Sequence, residues 1–74
     1  MSTQNQQQIQ MRLNGETLRV TAGLTVSGLL ERLKLTAGAV AVEVNGEIVP
    51  RAECATRVVP PEAVIEIVHF VGGG

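Results

Sequence analysis

Tryptophan and tyrosine are missing from this chain, and Phe70 is its one aromatic residue. An interior without large rings must be assembled from Val, Ile, Leu and Ala, which pack densely and leave little room for a substrate-sized cavity. Such a core argues against an autonomous enzyme. An excess of one charge is also missing: Lys and Arg number 6 against 7 Asp and Glu, a formal net charge of −1. Without a basic face to track phosphates, no nucleic acid partner is expected. Cysteine is limited to Cys54, which has no second thiol to pair with and fits a reducing, cytoplasmic compartment. No apolar run approaches the ~20 residues that a bilayer span needs. The start, Ser2-Thr3-Gln4-Asn5, is too polar for a signal peptide, so no membrane segment is expected. Glu43, Glu47, Glu53, Glu62 and Glu66 have no His or Cys cluster beside them, and neither a metal nor a bound cofactor is expected.

What is present reads as one small domain. Residues 1–8 are polar and Gln-rich, and a disordered tail is expected there. From Ile9 the apolar residues Ile9, Met11 and Leu13 alternate with polar ones, the period of a half-buried strand. Asn14-Gly15 follows, a pair suited to the positive φ angles of a type I′ turn, and Leu18 and Val20 alternate on the return strand. Thr25 is placed to cap a short helix running to about Lys34, with Val26, Leu29, Leu30 and Leu33 at helical spacing. Gly28 weakens that helix, and Lys34 suits its C-terminal dipole. Val40, Val42 and Val44 then alternate up to a second Asn-Gly pair, Asn45-Gly46, and Pro50 keeps the return strand short or at an edge. The matching phrases around Asn14 and Asn45 reflect a shared turn chemistry rather than a repeat. Residues 51–63 are irregular, and a last strand is expected from Val64 to Val71. The order implies an α+β domain over residues 9–71, with one helix packed on one face of a mixed sheet of four to five strands.

The sequence closes on Gly72, Gly73 and Gly74. Glycine is a poor finish for a strand that needs only stability, because it loses the most backbone freedom on ordering. Its advantage is thinness. Three extended glycines reach roughly 10 Å through a channel too narrow for a side chain, presenting the Gly74 carboxylate to a partner's active site.

That order, ending in glycines, resembles the ubiquitin-like β-grasp fold. More narrowly, Val44-Asn45-Gly46-Glu47-Ile48-Val49-Pro50-Arg51 together with Ile65 to Gly74 resembles the sulfur carriers of thiazole formation in thiamin biosynthesis, the ThiS family. The resemblance runs from Ile9 to Gly74. It implies that the first and last strands lie parallel at the sheet centre. It also implies that a ThiF-like adenylating enzyme uses ATP to activate the Gly74 carboxylate as an acyl-adenylate. A persulfide sulfur donor then displaces AMP to leave a thiocarboxylate, and thiazole synthase consumes the sulfur. On this reading the chain is a protein cosubstrate, and Gly72 and Gly73 serve to thread the tail.

Two departures from the family pattern stand out: Cys54 where a tryptophan is common, and Glu62-Ala63 where a Gly-Asp turn is common. Pro60-Pro61 is expected to supply a rigid turn in place of a glycine-dependent one. Cys54 is expected to fill part of the indole space, so that Cys54→Ser costs little stability and no thiocarboxylate. His69 reads as a surface or packing residue rather than a base. On the last strand, Ile65 and Ile67 are assigned to the helix-covered face, which leaves Val68 and Phe70 partly exposed as docking residues. Two other functions share much of this pattern: the small sulfur-carrying subunit of molybdopterin synthase, and a ubiquitin-like protein modifier or interaction module.

Overall fold

The computed structural model describes residues 7–70. Most of the N-terminal tail expected over residues 1–8, and all of Gly72 to Gly74, lie outside that range. Order begins a little earlier than the apolar pattern indicates. Strand β1 spans Gln8–Leu13, and the Gln7 carbonyl accepts from the Ala22 N–H at 2.8 Å. Sheet pairing uses the backbone, so a polar side chain directed at solvent can join it.

β1 pairs antiparallel with β2, Glu16–Thr21, through a turn in which Asn14 and Gly15 have φ of 48° and 88°. Helix α1, Val26–Arg32, follows, and then β3, Val40–Val44, the two-residue β4, Glu47–Ile48, and β5, Val64–His69. The sheet order is β2-β1-β5-β3-β4, with β1 and β5 parallel and β5 in the middle. This is the expected β-grasp arrangement. β4 is an edge strand of two residues, consistent with the Pro50 that follows it.

The helix is shorter than its apolar spacing indicates because it closes at Leu33. Lys34 adopts φ of 60°, its N–H donating to Glu31 O, while the Leu35 N–H donates to Leu30 O at 2.9 Å. These two bonds form a Schellman C-cap, with a lysine in the position glycine usually fills. At the other end Thr25 Oγ1 accepts from Gly28 N–H at 3.0 Å, as the sequence indicates. The remaining first-turn donors are met from an unexpected direction: Val26 N–H donates to Arg57 O and Ser27 N–H to Cys54 O. The segment between β4 and β5 thus satisfies helix groups that would otherwise be orphaned. The same segment contributes Val49, Cys54, Val59 and Ala63 to the core, against Val26, Leu29 and Leu30 of the helix and Met11, Val42 and Ile65 of the sheet. Arg57 bridges Glu53 and Glu47 across its surface; hydrogen bonding to Glu53, with Glu47 adding to it, raises the guanidinium pKa.

The turn before β5 corrects one expectation. Pro60-Pro61 does not remove the need for a glycine-like backbone, because Glu62 sits at φ of 63°, with its N–H donating to Gln10 O at 2.7 Å. A left-handed conformation costs a residue with a Cβ about 1–2 kcal/mol, whereas glycine's added freedom in the unfolded chain returns about 0.5–1 kcal/mol of that. Glu62→Gly is therefore expected to stabilise the domain by about 0.5 kcal/mol, or about 2–4 °C in thermal midpoint. A midpoint that fell would show that the Glu62 side chain contributes more than its backbone strain removes.

Candidate functional site

The alternation of β5 divides the strand between two environments. Ile65 and Ile67 are buried beneath the helix, and Val64, Glu66 and Val68, with Phe70 just beyond, point to the sheet face that no helix covers. Val68 and Phe70 are each 61% exposed, as the face assignment requires. Two residues not singled out from the sequence enlarge this patch: Val64 at 47% exposure and Ile48 at 62%. Ile48 reaches the face by standing opposite Glu43 across the Asn45-Gly46 hairpin, a position the hairpin register alone could have supplied.

The register across this open face sets Ala41 beside Val68, and Glu43 beside Glu66 with Ile48 on its other side. Like charges directly opposite one another on adjacent strands repel. The two glutamates therefore make a negative centre in an otherwise apolar strip, favourable only when water or a cation faces them. A shallow depression of about 230 Å³, lined by Gln10, Met11, Arg12, Thr17, Glu62 and Val64, lies at the start of β5, away from its tail end.

At that tail end, the Phe70 N–H donates to Ala39 O at 3.0 Å. The structure thereby holds Phe70, its last described residue, beside the start of β3 at the end of the central strand; Gly72, Gly73 and Gly74 lie outside the described residues. His69 is exposed at the end of β5. No group of three or more His, Cys, Asp or Glu among the described residues is arranged to hold a metal ion, and no helix among them is long and apolar enough to cross a membrane.

Two side chains that do more to hold β5 than the sequence indicated are Asn14 and Asn45. Asn14 Oδ1 accepts from the Ile67 N–H at 2.9 Å and Asn14 Nδ2 donates to the Ile67 carbonyl at 3.2 Å. Asn45 Oδ1 accepts from the Val64 N–H at 2.8 Å. The matching phrases therefore share more than turn chemistry, since both turn asparagines grip β5.

Cys54 fills interior space, as expected, but is held more tightly than a small stability cost implies: it is 4% exposed and part of the core, its carbonyl capping the helix and its thiol 3.7 Å from the Pro50 carbonyl. A hydroxyl here would be buried in an apolar setting with one partial hydrogen bond in compensation. Cys54→Ser is accordingly expected to cost about 1–2 kcal/mol of stability, rather than little. If Gly74 forms the thiocarboxylate that the family resemblance implies, its yield should be unchanged below the thermal midpoint, because a buried thiol in apolar surroundings is inert. A yield that collapsed in the folded variant would make Cys54 a sulfur relay.

Comparison with known proteins distinguishes among β-grasp families. The family model of the ThiS family matches residues 5–74. The chain belongs to the ThiS family. The crystal structure of a thiamine biosynthesis protein (ThiS) from Geobacter metallireducens superposes with a TM-score of 0.77 at 33% identity, covering 89% of this chain and 100% of that one. A solution structure of a thiamine biosynthesis protein from the same organism gives a TM-score of 0.72 at 33% identity, covering 89% and 88% of the two chains. Two curated relatives are each named thiazole synthase. One, from Magnetococcus marinus, is 41% identical over 66 residues, 89% of this chain and 20% of its own. The other, from Paramagnetospirillum magneticum, is 44% identical over 62 residues, 84% of this chain and 19% of its own. The chain thus spans about a fifth of the length of these relatives, whose ThiS-like segment is part of a much longer polypeptide.

Proposed function

We propose that this ThiS-family chain carries sulfur as a thiocarboxylate on Gly74 and delivers it to a thiazole synthase. The observation that supports this most is a central β5, braced from both sides, that ends two residues before three successive glycines. A carboxylate has no competent leaving group and cannot accept sulfur as it stands. Where Gly74 ends the polypeptide, its carboxylate attacks the α-phosphorus of ATP on a ThiF-like adenylating enzyme. Pyrophosphate leaves and an acyl-adenylate remains. A persulfide sulfur then displaces AMP, and reductive cleavage of the resulting acyl disulfide by a thiol releases the thiocarboxylate. Acid-base and phosphate-handling groups reside on the partners, so the chain acts as a cosubstrate in a reducing cytoplasm and itself binds no cofactor.

Thiazole synthase is favoured as the acceptor because the two relatives bearing that name contain a segment like this chain within one polypeptide. Joining two partners covalently raises their effective concentration, which is useful when one must serve the other repeatedly. Docking is assigned to Val68 and Phe70 on the open sheet face, with Glu43 and Glu66 calling for a basic residue on the partner.

Intact mass spectrometry tests the reading. After incubation with ATP, the activating enzyme, a persulfide donor and a thiol reductant, the chain is expected to gain the mass difference of sulfur minus oxygen. A ladder of conjugates to other proteins would instead identify a modifier, and an unchanged mass would remove the carrier function.

A further inference from the structure

β5 has a neighbouring strand on each side, but β1 accompanies it only at Val64 and Ile65 before turning away at Asn14-Gly15. A parallel ladder would next need a carbonyl for the Ile67 N–H and an N–H for the Ile67 carbonyl. One side chain supplies both. Asn14 Oδ1 accepts the first at 2.9 Å and Asn14 Nδ2 donates to the second at 3.2 Å, while the Asn14 backbone N–H donates to Ile65 O at 2.9 Å. A carboxamide offers the same donor and acceptor as a peptide group, so this one extends β1 by a further unit after the chain has left. Where β3 ends, Asn45 acts similarly: its N–H donates to Val64 O at 2.7 Å and its Oδ1 accepts from Val64 N–H at 2.8 Å.

The two asparagines brace different ends of β5. Asn45 holds its start, whereas Asn14 holds Ile67, close to the root of the tail. Among the described residues, the backbone of β5 is held nearest the tail by Asn14 at Ile67 on one flank and by the Phe70 N–H bond to Ala39 O on the other. We propose that Asn14 is a positioning residue for the chemistry of the tail. Its carboxamide fixes the end of β5, and with it the point and direction from which the glycines leave. This role rests on the carrier reading above. A frayed end would have to be reordered each time the chain docks on its activating enzyme, weakening productive binding but not the chemistry of a tail already threaded. Asparagine combines the two properties the position needs, tolerance of φ at 48° and a carboxamide within reach of β5.

Asn14→Gly keeps the turn and removes the carboxamide, and Asn14→Asp keeps the acceptor but loses the donor. Asn45→Gly is the control, removing the equivalent bond at the far end of the strand. The readouts are amide hydrogen exchange at Ile67 and Val64, the thermal midpoint, and KM and kcat for the protein substrate in pyrophosphate release by the activating enzyme, measured well below the midpoint. Asn14→Gly is expected to speed exchange at Ile67 and to raise KM, each roughly fivefold, the equivalent of two hydrogen bonds at the low end of their usual net contribution, with kcat little changed. Asn14→Asp sets a carboxylate oxygen against the Ile67 carbonyl and should raise KM at least as far, and it decides the matter by the same readouts if the glycine variant does not fold. Asn45→Gly should speed exchange at Val64 and lower the midpoint without raising KM. An unchanged KM in the folded Asn14 variants, or an equal rise in Asn45→Gly, would reduce Asn14 to a structural residue and overturn the proposal. A wild-type chain that is never adenylated removes the carrier reading and the positioning role with it, whereas a reactive wild type with unchanged KM in the Asn14 variants removes the positioning role alone.

Discussion

Gly73→Val is expected to leave the domain folded and to reduce adenylation at least ~100-fold in kcat/KM, about 3 kcal/mol of transition-state stabilisation. The fold should not respond, because β5 ends at His69 and the Phe70 N–H makes its bond to Ala39 before the glycines begin. The chemistry should respond for two reasons. A β-branched side chain widens the tail where it must pass a narrow channel, and it restricts φ and ψ where glycine leaves them free. A residue added after Gly74 should be as damaging by a different route. It moves the terminal carboxylate by about 3.5 Å, a displacement as large as the whole separation of reacting atoms in a near-attack geometry. Pyrophosphate release with the purified activating enzyme is the measurement, and circular dichroism verifies the fold. Normal release in both variants would mean that the tail is not the reacting element.

Much of the fold is legible in the sequence because local and tertiary signals agree. The two Asn-Gly pairs state their turn type through positive φ, the valines of β3 state a buried face, and Thr25 states a helix start. Contacts that join distant segments are less legible. Nothing in Cys54 or Arg57 announces that their carbonyls will cap α1, since a carbonyl is common to every residue and its partner is decided by tertiary packing. Glu62 is hidden for a related reason: its left-handed backbone is imposed by the turn into β5, against the preference of its own side chain. Asn14 is an intermediate case. Its turn function is local and readable, but the second function of its carboxamide depends on β5 arriving parallel to β1 from 53 positions away. In the site itself, the exposure of Val68 and Phe70 follows from alternation once Ile65 and Ile67 are assigned inward. Val64 follows from the same alternation, and Ile48 from the register of the Asn45-Gly46 hairpin.

Phe70→Ala is expected to weaken binding to the activating enzyme and to the sulfur acceptor by roughly 1–3 kcal/mol, with little loss of folding stability. The residue is 61% exposed, so truncation removes little that the core depends on, and its backbone bond to Ala39 O is kept by any residue other than proline. On the same face lie Val68 and Ala41, and beyond the Glu43–Glu66 pair Val64 and Ile48, so a partner that covers Phe70 also excludes water from the apolar residues next to it. Aromatic residues surrounded by such weaker contacts carry a disproportionate share of interface energy. The paired glutamates at the centre of the strip add a second signature. If a basic residue of the partner sits against Glu43 and Glu66, Glu66→Gln should weaken association further at low salt than at high salt, because ions screen an exposed charge pair but not an apolar contact. Phe70→Ala should then lower affinity nearly equally at both ionic strengths. Titration calorimetry with each partner, combined with thermal melts of the free chain, separates these effects. Unchanged affinities with a large fall in thermal midpoint would assign Phe70 to the core and move the docking surface to another face.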